Sequence, residues 1–198
     1  MEVAPVLTQK QLRAAEEIVQ TISEVLSKSG VLHPETAVMS AARIAGTFLF
    51  REYKFPTENI APGTAVLSDN ANNAAPLLFN TLAATLQVLG VSTDPKKRSH
   101  FPGLSHPTHA PKLSVTDAQK LLEAPLRATA ARFDLNSREA AQSCAIAAGR
   151  LIQINASSLD PNIGYSMASY GFIEGLKTMP PPLVIEEKGR KRWYKFWM

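Results

Sequence analysis

The sequence predicts an all-α protein with about six main helices in one compact bundle, on three observations. Apolar residues recur every three or four positions, helix-start signals stand in front of those runs, and glycine or proline closes them. The same order of signals occurs twice. The bundle is therefore expected to be two pseudo-repeated three-helix halves, residues 1–90 and 114–178, joined by a loop over 91–113. Residues 1–182 form the helical domain in this reading, and 183–198 form a tail.

The first helix is announced by Thr8 and Gln11, a reciprocal capping box in which the threonine hydroxyl serves a free amide and the glutamine reaches back. Leu12, Ala15, Ile18, Val19, Ile22, Val25 and Leu26 give it one apolar face, and Ser29-Gly30 closes it. Pro34, with fixed φ and no amide, suits the first turn of a second helix running to about Tyr53. Its buried face is read as Ala37, Ala41, Ile44, Ala45, Phe48 and Leu49. A third helix starts between Ser68 and Pro76 and carries Leu78, Leu82, Leu86 and Leu89 to Gly90.

The stretch Asn70–Thr93 contains no charged side chain, but Asn70, Asn72, Asn73, Asn80 and Gln87 would be costly in lipid. It reads as the buried centre of a globular core rather than as a membrane span. Residues 91–113, with four prolines and His100, His106 and His109, read as a solvated loop.

After that loop the pattern restarts. Thr116 and Gln119 repeat the capping box, Leu121, Leu122, Leu126, Ala130 and Phe133 continue it, and Pro125 predicts a kink. Asn136 and Glu139 open the fifth helix, and Asp160-Pro161 opens a sixth that ends near Lys177, before Pro180. An offset of 103 residues matches Leu32/Leu135, Ala37/Ala140, Ser40/Ser143, Ala42/Ala145, Ala45/Ala148 and Gly46/Gly149. Three of those six identities are alanines, so the shared order of elements carries the repeat more than the identities do. Ala42, Ala45 and Gly46, their counterparts Ala145, Ala148 and Gly149, and the strip Ala168, Gly171 and Gly175 predict helix faces where another helix approaches closely. A glycine inside a helix costs about 0.5–1 kcal/mol against alanine, which such packing must offset.

Charge is uneven. Residues 183–198 hold Lys188, Arg190, Lys191, Arg192 and Lys195 against Glu186 and Glu187, a net of +3 out of the chain's +4. Leu183-Val184-Ile185 and the aromatic run after Lys188-Gly189 have the pattern of a small β-hairpin, a short helix being the other option because Trp193 and Trp197 are spaced four apart. Arg190, Lys191, Arg192, Trp193, Lys195 and Trp197 are the candidate binding residues, because bases interleaved with aromatics hold phosphates while rings stack. The plainer expectation is that the rings fold back onto an apolar strip of the helical body while the charges reach water.

Chemistry is otherwise sparse. The histidine spacing of six and three residues is no zinc pattern, so no metal is expected. Cys144, the one cysteine, reads as a buried inert thiol, and Arg43, Arg51, Arg150 and Glu174 read as solvent-facing positions in surface pairs. There is no phosphate-cradling glycine loop, His-Glu-x-x-His pair or Gly-x-Ser-x-Gly elbow, so no catalytic residue and no cofactor is assigned and an enzyme is the less favoured class. Acidic Glu2 where a signal peptide carries bases, and a single thiol, predict a cytoplasmic chain. The function expected is a non-enzymatic helical protein-interaction or self-association module. The alternatives are a nucleic-acid-associated protein using the basic aromatic tail, and an enzyme or small-ligand-binding protein with a cleft between the halves.

Overall fold

The computed structural model describes residues 7–30, 32–53, 59–94, 109–187 and 190–193, the segments 184–187 and 190–193 as backbone. It is an all-α compact bundle of six helices: α1 (Gln9–Lys28), α2 (Pro34–Glu52), α3 (Asp69–Val88), α4 (Val115–Arg132), α5 (Ser137–Ile154) and α6 (Pro161–Lys177). No helix among the described residues is long and apolar enough to cross a membrane.

The helix starts follow the local chemistry. Thr8 and Gln11 form a capping box at α1, and Asn136 and Glu139 form another at α5. Ser68 caps α3 and Asp160 caps α6. At α4 the expected Thr116–Gln119 box is corrected. Ser114 is the cap, accepting from the Asp117 amide at 3.1 Å and donating to its carboxylate at 2.6 Å. Gln119 turns inward instead and donates to Thr47 Oγ1 at 3.0 Å, because a buried hydroxyl on α2 needs its amide more than an exposed helix end does. Gly30 and Gly90 take positive φ, +68° and +69°, just after α1 and α3, the left-handed turn that a side chain resists.

α2 and α5 are the centre of the bundle. Every residue from Glu35 to Phe50 is buried, as is every residue from Ala140 to Gly149. The expectation that the uncharged stretch Asn70–Thr93 is the buried centre is thereby corrected: α3 buries Ala71, Leu78, Leu82 and Leu86 on one face and leaves Asn70, Asn72, Asn73 and Val88 in solvent. Asp69 is the one charged side chain of α3, and amides hydrate much of the rest of its outer face. α2 lies against α5 and α6, α5 also packs on α1 and α3, and α4 rests on α1 and α2 with little contact to α5.

The chain after α6 returns across the 59–68 segment. Ala65 and Thr178 form an isolated antiparallel bridge, flanked by Gly63 N to Met179 O at 2.8 Å and Val66 N to Lys177 O at 2.7 Å. Beyond Leu183 the backbone pairs with itself as β1 (Val184–Glu187) and β2 (Arg190–Trp193), antiparallel, with Val184 opposite Trp193.

Candidate functional site

The small-residue strips are contact faces. A Cβ on Gly175 would sit 2.0 Å from the Arg43 carbonyl oxygen, and one on Gly46 would sit 2.4 Å from that of Phe172. A Cβ on Gly171 would meet the Ala42 Cβ at 2.9 Å. α2 and α6 therefore touch backbone to backbone, where no side chain fits. A Cβ on Gly149 of α5 would sit 2.8 Å from Thr85 Cγ2 of α3, a side-chain contact and hence a softer one.

Beside this seam Arg43 is buried and Arg51 and Glu174 are half-buried, contrary to the solvent-facing expectation for all three. Arg43, 3% exposed, donates through Nε to Glu174 Oε2 at 2.7 Å and through Nη1 to the Leu113 carbonyl at 2.6 Å. Arg51 grips Glu123 of α4 with Nε and Nη2, the latter 2.8 Å from Oε2, and gives a further bond to the Pro181 carbonyl at 2.7 Å. Arg127 joins the same Glu123 at 3.0 Å and lies 4.9 Å from the Phe48 ring centroid, a cation over an aromatic face. The bundle has room for these charges because each meets its partner in planar, multi-donor geometry. Arg150 is half-buried and reaches Glu16 at 3.0 Å, which agrees with a surface pair.

The segment His109–Leu113 is also tied down rather than solvated. His109 Nδ1 lies 2.8 Å from the buried Glu35 carboxylate, and the Lys112 amide donates to Thr36 at 3.0 Å. Glu35 Oε2 is 3.0 Å from His33 Nδ1 as well. Among the described residues no three His, Cys, Asp or Glu side chains converge on a metal position. Cys144 is fully buried, and burial pushes its thiol far above the ordinary range despite the opposing charge of Arg127. A thiol held protonated in this way is no nucleophile at neutral pH.

Among the described residues, a groove of about 810 Å³ runs along one flank of α4. α4 directs Leu122, Leu126 and Ala130 at the body, anchored by Glu123 and Gln119, and this turns Ala124, Ala128 and Ala131 toward the side. Those alanines form one wall; Leu135, Ser137 and Ala140 of the α5 entry and Leu183 complete the groove, with Phe48 at its base. Lys120 and Arg127 stand at its edge, each accompanied by a carboxylate, Asp117 at 4.0 Å and Glu123 at 3.0 Å. Pro125, another lining residue, leaves the Leu121 carbonyl without its ordinary intrahelical donor. α4 nevertheless continues as one helix through Pro125.

Arg190, Lys191, Arg192 and Trp193 lie on β2, described as backbone, whereas Lys195 and Trp197 lie outside the described residues, as do His100 and His106. The groove was missed by the sequence reading. The signal that could have found it is the set of alanines Ala124, Ala128 and Ala131 on the flank of the fourth helix. The class defined by fold and site is an all-α six-helix bundle with an apolar groove on an outer helix. Comparison with family models, with curated proteins and with solved structures finds no match to this chain.

Proposed function

We propose that this chain is a non-enzymatic helical interaction module whose docking surface is the α4 groove. The observation that carries the reading is the groove itself: about 810 Å³, walled by alanines and leucines, with two cations at its edge. That volume lies in the range of about 300–1,000 Å³ that holds compact apolar groups. Alanine walls leave room for large rings, and Lys120 and Arg127 favour ring faces, as Arg127 does with Phe48. The fitting occupant is an aromatic-bearing peptide segment.

In the same reading the two halves are copies of one three-helix plan, exchanged in packing. The middle helix of each half lies on the third helix of the other, α2 on α6 and α5 on α3, with Gly46 and Gly149 at matched positions. The first copy leaves its opening helix, α1, packed on α5, and the second leaves α4 with an open flank.

The test is capture of partners on the native chain and on the double variant Ala128→Arg/Ala131→Arg, combined with sedimentation over a concentration series. Both positions are exposed, so the helix survives the change. A partner or self-association held by the native chain and lost by the variant supports the proposal. Retention by both, or strictly monomeric behaviour with nothing captured, contradicts it.

A further inference from the structure

We infer that the segment received by the α4 groove is acidic: a peptide of another protein that sets a carboxylate on the Arg127 guanidinium and an aromatic side chain on the alanine wall. The inference rests on the reading of the groove as a docking surface and names the chemistry of its partner.

Charge at the groove is unbalanced. Lys120 and Arg127 are its charged lining residues, and among the described residues no acid lines it. The carboxylate that Arg127 uses is shared: Glu123 Oε1 accepts from Arg127 Nε at 3.0 Å, while Arg51 takes both Glu123 oxygens through Nε and Nη2. Two guanidiniums thus meet one carboxylate, which is itself buried. Lys120 is no better neutralised. Its partner Asp117 stands 4.0 Å away with both side chains more than half in water, where such a pair contributes almost nothing. The surplus is positive, so the edge of the groove attracts an anion.

The surplus is also aimed. Arg127 commits Nε to Glu123, and its guanidinium lies 4.9 Å from the ring centroid of Phe48 at the base of the groove. These two contacts hold the guanidinium in place, and both Nη nitrogens lack a hydrogen-bond partner among the described residues. Free N–H groups on a fixed planar fork are what a carboxylate fills with parallel bonds. Only 28% of the side chain is exposed, so water competes weakly for that fork. Six residues earlier, about 9 Å along the helix at about 1.5 Å per residue, Pro125 leaves the Leu121 carbonyl without its ordinary donor. A peptide backbone has an N–H to give it. Carboxylate, backbone amide and ring therefore each have a separate place: Arg127, Leu121 and the alanines.

The test is fluorescence anisotropy on the full chain with two labelled, end-blocked pentapeptides, one with Glu beside a Trp and the other with Gln in its place. The acidic peptide should bind about tenfold more tightly at low salt, the scale of one charge-assisted hydrogen bond. That advantage should shrink as salt rises. Arg127→Gln should remove the difference between the peptides. Ala128→Leu/Ala131→Leu fills the groove without changing its charge and should weaken both, with helical circular dichroism unaltered in each variant. Equal affinities in the native chain, no binding of the acidic peptide, or a preference that survives Arg127→Gln overturns the inference. The salt series decides without any variant, because a preference indifferent to salt overturns it too. Failure of the interaction reading is distinct: there neither peptide binds and capture finds no partner. When the charge assignment alone is wrong, both peptides bind equally and both are lost on filling the groove.

Discussion

Gly46, Gly171 and Gly175 bring α2 and α6 into backbone contact, while Ala124, Ala128 and Ala131 leave the flank of α4 bare. Both regions use small residues on helices of similar length, yet one closes and the other stays open. In the seam an absent side chain is replaced by the neighbouring helix, so dispersion contacts are kept. On α4 the missing side chains are replaced by nothing from the described chain, because Glu123 and Gln119 fix the helix to α2 by another face. Small residues permit close approach; the direction in which a helix is anchored decides whether it happens.

That contrast breaks first at the seam. Gly46→Ala places a methyl 2.4 Å from one backbone atom and 2.7 Å from another, so α6 must move. The expected loss is about 3 kcal/mol, the upper end of ordinary overpacking, read as a drop in the urea midpoint. Glu123→Ala attacks the anchor instead and leaves Arg51 and Arg127 without their shared carboxylate. We expect about 2 kcal/mol, below the roughly 3–5 kcal/mol of a fully buried pair. The reason is that the two arginine side chains keep 20% and 28% exposure. The same variant should loosen α4 before the rest, seen as faster amide exchange there than in α2. Gly149→Ala is the mildest: Thr85 can rotate away, and the gain in helix propensity offsets part of the clash, leaving a loss of about 1 kcal/mol or less by thermal melting.

Much of the fold could be read from residues with local meaning. Thr8, Asn136 and Asp160 cap where their side chains lie next to free amides, and Gly30 and Gly90 turn the chain where only glycine does so easily. The failures are tertiary. Ser114 takes the cap through Asp117, three residues on, and Gln119 bonds to Thr47 on α2, 72 residues away, a contact no local pattern contains. Arg43 and Glu174 were read as solvent-facing because their pairing spans 131 residues. The groove was invisible for the same reason: alanine at Ala128 means packing or emptiness depending on what lies opposite.

The most direct test of this account is a pair of urea midpoints measured in one buffer, for Gly175→Ala and Ala131→Leu. The first adds one methyl to the seam, 2.0 Å from the Arg43 carbonyl, and the second adds three carbons to the groove wall. The account predicts a fall of about 3 kcal/mol or more for the smaller change and a shift within about 0.5 kcal/mol for the larger one. Equal losses would contradict it, since the flank of α4 would then be as closed as the glycine seam.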